Sequence, residues 1–147
     1  MTIFELHKTI RLPCPLDDVF PFFADPINLQ YLTPGWLHFQ ICSRLPIPMN
    51  TGTTIDYRLR LHHVPIRWTS EITVWEPPFK FVDEQRKGPY RLWRHEHTFE
   101  KQDGHTIASD QVRYALWGGR VIERLLVRRD LKRIFTYRHK QLRARFG

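Results

Sequence analysis

The segment "RLWRHEHTFEKQDGHTIASDQVRYAL", residues 91–116, decides the fold because it predicts a long β-hairpin. Asp103-Gly104 is the strongest short hairpin signal in the chain. With a two-residue loop, Gln102 pairs with His105, and the register of the rest follows by counting outward. The predicted pairs on one face are Phe99 with Ala108, His97 with Asp110, His95 with Val112, and Trp93 with Tyr114.

The two faces of this hairpin differ, because side chains alternate along a strand. One face carries Arg94, Glu96, Thr98 and Glu100, which is typical of a surface in contact with water. The other is aromatic but also holds ionisable groups, which a packed core normally excludes. That inner face is therefore predicted to line a cavity. Counting across the "KGP" turn at residues 87–89 adds Phe79, Phe81 and Asp83 to it.

The remaining pattern predicts an α+β chain of one domain, residues 1–147. A strand over residues 2–12 precedes two short helices, and six strands follow from residue 36. Asp17 or Asp18 is expected to cap the first short helix, and Pro21 to delay its start or kink it. A long helix should run from residue 120 to about 144. Its apolar stripe comprises Ile122, Leu125, Leu126, Leu131, Ile134, Phe135 and Leu142.

The net charge of +8 is concentrated in this last helix. Residues 1–119 hold 13 basic and 13 acidic side chains, so the body is neutral. Ten basic residues follow: Arg120, Arg124, Arg128, Arg129, Lys132, Arg133, Arg138, Lys140, Arg143 and Arg145. They could bind nucleic acid or an anionic membrane surface. Alternatively, their stems cover the outside of a packed helix and keep the protein in solution, and no specific nucleic acid partner is expected.

Other signals exclude several classes of protein. Cys14 and Cys42 lack metal-ligand spacing and are expected to be buried thiols in a cytoplasmic protein. The amino terminus lacks the apolar core of a signal peptide, and no apolar run approaches the length of a membrane span. Phosphate-binding glycine patterns are absent, so no cofactor is expected. His62 and His63 lie in a turn and are expected at the surface.

Three interpretations of His95 and His97 remain. A His-x-His strand with a carboxylate can bind a metal, but no third ligand stands at a recognisable spacing, so no metal is expected. A His97–Asp110 pair, with His95 nearby, could instead transfer protons near neutral pH. The third interpretation is structural: both imidazoles are hydrogen-bonded inside the fold.

The order of elements, together with "FVDEQRKGPYRLWRHEHTF" at residues 81–99, resembles the START-like, or SRPBCC, superfamily. "DPINLQYLTP" at 25–34, "WEPPFKFVDEQ" at 75–85 and "IFTYRHKQL" at 134–142 support the resemblance over essentially the whole chain. The most similar group is that of small bacterial ligand-binding proteins termed polyketide cyclase/dehydrase-like. Related domains occur fused to sugar-epimerase-like proteins.

The resemblance implies a helix-grip fold: a seven-stranded antiparallel sheet curved around the long C-terminal helix, with two short helices between strands 1 and 2. It implies a cavity that binds a small hydrophobic or amphipathic molecule. The expected walls are Trp68, Phe79, Phe81, Asp83, Trp93, His95, His97, Asp110, Val112 and Tyr114. The alternative function is that of a cyclase, dehydratase or isomerase acting on a polyketide-like or aromatic substrate. No catalytic residue is implied by the resemblance itself.

Overall fold

The computed structural model describes all residues 1–147, and a single seven-stranded antiparallel sheet dominates it. The strands are β1 (Phe4–Leu12), β2 (Gln40–Ile41), β3 (Thr54–Leu61), β4 (Val64–Glu76), β5 (Lys80–Lys87), β6 (Leu92–Gln102) and β7 (His105–Ala115). Their order across the sheet is β1-β7-β6-β5-β4-β3-β2. The first strand thus pairs with the last, and the other neighbours follow the chain.

The helices also follow the expected order. Two short ones, α1 (Leu16–Ala24) and α2 (Leu29–Leu32), connect β1 to β2. The long helix α3 spans residues 119–146 and consists of Gly119–Ile122, a π-helical turn Glu123–Val127, and Arg128–Phe146. The α+β architecture and the helix-grip arrangement predicted from the sequence are confirmed. None of the helices has the length and apolar character needed to cross a membrane.

The register of the β6–β7 hairpin agrees with the count made from its turn. His97 stands opposite Asp110, and His95 opposite Val112. Both turn residues have positive φ, 50° at Asp103 and 77° at Gly104. Because only these two residues separate the strands, the turn fixes which side chains of β6 and β7 face inward.

Replacing Gly104 with alanine is expected to lower the free energy of unfolding by about 1 kcal/mol, because a Cβ disfavours the left-handed conformation. No atom lies within 4 Å of the added Cβ, so the effect is conformational rather than steric. Gly35→Ala is the matched control, since that site is equally open and its φ is not positive. Urea denaturation measures both variants. Equal stabilities would contradict the assignment of the turn.

Two hydrophobic clusters hold the layers together. In the larger one, Phe20 of α1 packs edge-on against Phe99 of β6, and Leu142 of α3 joins the same group. In the smaller one, Val112 and Tyr114 of β7 pack beneath Leu131 and Phe135 of α3. Residues of both clusters also line the cavity that holds the candidate site.

The predicted details of α1 and β2 are wrong. Helix α1 begins at Leu16, upstream of Pro21, which lies inside it without delaying its start. Pro15 occupies the N-cap position, so neither aspartate caps the helix. The strand expected from Trp36 onward is only two residues long, because a 3-10 turn precedes it and His38 has a φ of 48°.

The first part of the predicted apolar stripe on α3 faces solvent rather than the sheet. Leu125 is 69% exposed and Ile122 is 45% exposed, whereas Glu123 is completely buried. The π-helical turn adds a residue to one turn and so rotates the stripe out of phase with the sheet. Glu123 accepts hydrogen bonds from the Tyr114 hydroxyl, at 3.1 Å, and from Arg128.

The two thiols do not behave alike. Cys14 is half-buried and its Sγ donates to the Phe146 carbonyl at 3.1 Å, while Cys42 is exposed. The prediction that both are buried is therefore wrong for Cys42. This residue follows the two-residue edge strand β2, and its Sγ accepts a hydrogen bond from Arg58 Nε at 3.2 Å.

Candidate functional site

A cavity of about 200 Å³ lies between the sheet and α3. Of its 28 lining residues, 19 are hydrophobic, so its walls favour an apolar occupant. Phe22 and Phe23 of α1 and Leu32 of α2 line it at one end, and Leu131 and Phe135 line it from the long helix. Three of the ionisable side chains on its wall come from β5 and β6: Asp83, His95 and His97.

Six of the residues expected at the site line this cavity: Trp68, Phe81, Asp83, Trp93, His95 and His97. They lie on three adjacent strands, β4, β5 and β6. His95 and His97 are 7% and 4% exposed, so both imidazoles point into the fold.

Phe79 is a correction to the expected site. It lies in the turn before β5 begins at Lys80, its backbone N–H bonds to the Glu76 carbonyl, and it is 51% exposed. The alternation that places Phe81 and Asp83 inward does not extend into this turn.

Asp110, Val112 and Tyr114 are buried but do not line the cavity. Val112 and Tyr114 are covered by Leu131 and Phe135 of α3. Asp110 lies behind the imidazoles and contacts them, so it can affect the cavity only through them.

The carboxylate partners of His95 and His97 differ from those that the backbone register suggests. His97 Nε2 is 2.7 Å from Asp83 Oδ2, on the neighbouring strand β5. His95 Nε2 is 2.8 Å from Asp110 Oδ1, diagonally across β6 and β7. His97 Nδ1 approaches Asp110 Oδ1 only to 3.5 Å and forms no hydrogen bond with it. The expected His97–Asp110 pair is therefore replaced by two pairs, His97–Asp83 and His95–Asp110.

Stacking fixes the orientation of both rings. The centroids of His95 and His97 are 3.7 Å apart, and Phe81 stacks on His97 at 4.1 Å with its plane inclined by 13°. Phe135 of α3 contacts the His95 ring edge-on at 5.6 Å. The imidazoles are thus packed between aromatic rings, and their freedom to turn is small.

The long helix adds a buried cation that was missed as a site residue. Arg138 is 7% exposed, lines the cavity, and its Nη2 donates to Asp110 Oδ1 at 3.4 Å. His139, 9% exposed, places its Nε2 3.9 Å from Asp110 Oδ2. Helical spacing could have revealed Arg138, because it follows Phe135 by three residues and precedes Leu142 by four.

A second polar group on the wall lies on β3 and β4. The Tyr57 hydroxyl and Trp68 Nε1 both bond to Ser70 Oγ, at 2.8 and 2.9 Å. Burial raises the pKa of Tyr57, so its hydroxyl stays protonated. This group is neutral and internally satisfied, whereas the charge of the site is concentrated at the two His–Asp pairs.

Burial and neighbouring charges set the protonation of the pairs. Burial, followed by the proximity of His95, lowers the pKa of His97 to about 4. Burial would raise the pKa of Asp83, but the hydrogen bond from His97 and the proximity of both imidazoles and of Arg138 outweigh it and lower that pKa. Burial would also raise the pKa of Asp110, but neighbouring groups, chiefly Arg138, hold that pKa well below its usual value. At neutral pH both carboxylates are charged, and His97 is neutral and donates from Nε2 to Asp83.

This arrangement makes stability depend on pH. Because the pKa of His97 is about 4 in the fold and 6.5 outside it, the unfolded chain binds more protons between these values. Stability is therefore fully present above pH 6.5 and falls as the pH falls. We expect a loss of about 2 kcal/mol between pH 7 and pH 5. Urea denaturation at several pH values, with EDTA present, measures it. His97→Gln should lack this part of the dependence, and identical pH profiles of the two proteins would contradict the assignment.

Comparisons with known proteins agree on the fold. The chain is 12% identical to the ZhuI aromatase/cyclase from Streptomyces sp. R1128, with a TM-score of 0.76 over 98% of this chain and 93% of that one. It is 16% identical to protein Ms6760 from Mycobacterium smegmatis, with a TM-score of 0.69 over 95% and 88%. A nucleoside-diphosphate sugar epimerase from Corynebacterium glutamicum is 21% identical, with a TM-score of 0.68, and the match covers 93% of this chain but 28% of the epimerase.

No family model and no curated protein sequence matches the chain. The structural matches show the helix-grip fold and confirm, at the level of the fold, the resemblance to START-like proteins.

Proposed function

We propose that the protein binds a small, largely hydrophobic molecule with one polar end in the cavity between the sheet and α3. The observation that carries this proposal is an apolar cavity whose wall holds the His97–Asp83 pair. Burial of apolar ligand area contributes about 25 cal/mol per Å². A few polar anchors in an otherwise apolar site then orient the ligand.

The anchor favours a ligand that donates a hydrogen bond. Asp83 is the more accessible of the two carboxylates, with 19% of its side chain exposed against 7% for Asp110. As a charged carboxylate it accepts hydrogen bonds and repels anions. A hydroxyl or amine at the polar end of the ligand therefore suits the site better than a carboxylate.

Native mass spectrometry of freshly purified protein tests the proposal. We expect a co-purified small molecule that dissociates on denaturation, or one-to-one uptake of an added apolar alcohol or amine. Cavity occupation is then read from chemical-shift changes at Trp68, Trp93 and His97. A protein that takes up no such molecule, or takes it up without perturbing these residues, would contradict the proposal.

A second candidate function is proton transfer to a bound substrate, as in a cyclase, dehydratase or isomerase. It is favoured by the buried His97–Asp83 pair on the cavity wall, and the neighbour described as an aromatase/cyclase has the same fold. The pair would exchange a proton with the substrate on the side of Asp83, its more exposed member, because His97 Nδ1 is buried and His97 Nε2 bonds to Asp83. The partner is Asp83, not the Asp110 expected from the sequence.

His97→Gln separates the two functions, because glutamine can still form hydrogen bonds but cannot transfer a proton at neutral pH. For an enzyme, turnover should fall by about 10²–10⁴-fold. For a binding protein, only ligand affinity changes. His63→Asn is the control, since His63 is an exposed turn residue with a φ of 70°, a conformation that asparagine tolerates. Progress curves with aromatic polyketide-like substrates, and equilibrium titrations with their products, provide the two readouts.

A further inference from the structure

We propose that Asp83, His95 and His97 form a binding site for one divalent transition-metal ion on the wall of the cavity. One ligand atom from each residue lies within 4.8 Å of the other two. Two imidazoles and a carboxylate form a donor set that suits Zn²⁺, Fe²⁺ and Co²⁺. The sequence lacked a third ligand at a recognisable spacing because Asp83 lies on another strand, opposite His95.

The atoms that face Asp83 are those a metal would use. His97 Nε2 and His95 Nδ1 lie 2.7 and 3.9 Å from Asp83 Oδ2. A metal with ligand distances of about 2.0–2.2 Å fits between them after small side-chain movements. It would replace the hydrogen that His97 shares with Asp83.

The other nitrogens are arranged as they are in metal-binding histidines, which commonly donate their second N–H to a carboxylate. His95 Nε2 bonds to Asp110 Oδ1 at 2.8 Å, which leaves Nδ1 as the nitrogen on the side of Asp83. His97 Nδ1 is buried, has no hydrogen-bond partner, and lies 3.5 Å from the same oxygen. Once a metal holds Nε2, the hydrogen moves to Nδ1 and Asp110 can accept it. Asp110 thus supports both imidazoles from behind.

Charge also favours a cation. Asp83 and Asp110 carry two negative charges, and Arg138 is the nearby side chain with a permanent positive charge. Arg138 bonds to Asp110 rather than to Asp83. Protein ligands occupy one side of the proposed site, and the cavity occupies the other. The metal's remaining positions would therefore face the cavity, where they could contact the polar end of a ligand.

Titration of chelator-treated protein with Co²⁺ tests the metal site by visible absorption, with native mass spectrometry for stoichiometry. We expect one equivalent, d–d bands without a thiolate charge-transfer band, and displacement by Zn²⁺. His95→Gln, His97→Gln and Asp83→Asn should each weaken binding by about 100-fold or more, and Asp110→Asn by about 10–100-fold. His63→Asn should leave it unchanged, because it removes only a surface imidazole.

Binding that persists in the His95 and His97 variants, or that is lost in His63→Asn, would overturn the metal site, as would no stoichiometric binding. If the buried variants fail to fold, X-ray absorption spectroscopy of the wild-type Co²⁺ complex tests the site instead. Fewer than two imidazole ligands on the ion would exclude the proposed site. Because the ion is titrated without organic ligand, failure here leaves the binding function of the cavity standing.

An independent observation concerns the exposed start of α3, and from it we infer a surface that docks on membranes containing anionic lipids. Five large apolar side chains within this segment or just before it are 41–74% exposed, and we call them the apolar patch: Trp117, Val121, Ile122, Leu125 and Leu126. A patch of this kind, next to a charged surface, marks an interaction site.

Only positive charge borders the apolar patch on this helix. Arg120, Arg124, Arg128 and Arg129 are exposed, whereas the one acid among them, Glu123, is completely buried and bonded to Arg128. An amphipathic helix with basic side chains and a tryptophan is typical of segments that lie in the membrane interface. Each basic residue near an anionic bilayer adds to the attraction. Self-association through the patch would bring these arginines together, and nucleic acid would leave the apolar side chains uncovered.

Co-sedimentation with vesicles tests the docking surface, with phosphatidylcholine alone compared with a mixture containing phosphatidylglycerol. We expect binding to the anionic vesicles only, weakened by salt. Val121→Ser/Leu125→Ser should weaken it by at least about 10-fold. Val64→Ser is the control, because Val64 is 57% exposed on another part of the surface. Equal binding by the double variant, a dimer that the double variant dissociates, or preference for nucleic acid over vesicles would overturn the inference.

Discussion

Replacing Asp110 with alanine is expected to lower the free energy of unfolding by about 3–5 kcal/mol, because it leaves a buried charge without its partner. Arg138 is 7% exposed, and its hydrogen bond to Asp110 is the one polar contact made by its guanidinium. His95 loses the acceptor of its Nε2 hydrogen at the same time. Urea denaturation at pH 7 measures the loss.

A double variant distinguishes charge burial from simple loss of packing. In Asp110→Ala/Arg138→Met the stranded cation is replaced by an apolar side chain of similar length, so part of the loss should be recovered. Asp56→Ala is a control for removing a carboxylate from the sheet, since Asp56 is exposed and should cost about 1 kcal/mol or less. A loss below 1 kcal/mol in Asp110→Ala, or no recovery in the double variant, would contradict the role assigned to the pair.

The hairpin shows what sequence alone can establish about this site. A two-residue turn at Asp103-Gly104 leaves one register, and that register determines which side chains of β6 and β7 share a face. The inward orientation of His95 and His97 follows from alternation. Their hydrogen-bond partners do not, because these depend on side-chain torsions and on β5, which joins β6 through a separate turn. That is why Asp83, rather than Asp110, is the partner of His97.

The long helix shows where such prediction fails. Periodicity correctly placed Leu131, Phe135 and Leu142 on the sheet. It failed upstream because the π-helical turn changes the phase of the helix, and no local signal marks this turn. Arg138 was grouped with the surface cations by residue type, although its spacing from Phe135 places it on the buried stripe. Its burial is explained by Asp110, a partner from a distant part of the chain.

The side of α3 that covers the cavity and the side that carries the exposed apolar patch lie on different parts of the helix. Beyond the π-helical turn, α3 buries its apolar side and covers the cavity, with Arg138 aimed inward at Asp110. Before and within this turn, the same helix exposes apolar side chains among arginines. A single extra residue in one turn thus gives one helix both a buried apolar side over the cavity and an exposed apolar side further upstream.

Filling the cavity should abolish ligand binding without unfolding the protein. Leu59 of β3 lines the cavity and is only half-buried, so the larger indole of Leu59→Trp can project into the open space. N-phenyl-1-naphthylamine is a suitable probe, since it is apolar, carries an N–H donor for Asp83, and fluoresces more strongly in apolar surroundings. We expect its affinity to fall by about 100-fold, equivalent to about 2.7 kcal/mol.

Arg60→Trp is the matched control, because it adds the same indole one residue further along β3, on the exposed face of the sheet. It should bind the probe as the wild type does, since alternation keeps its side chain out of the cavity. Thermal unfolding of both variants checks that they are folded. Equal affinities in Leu59→Trp and Arg60→Trp would show that the probe binds elsewhere, and the apolar patch at the start of α3 would be the next place to look. A selective loss in Leu59→Trp requires the space between sheet and helix to be the binding site, because both variants add an indole to the same strand, on opposite sides of it.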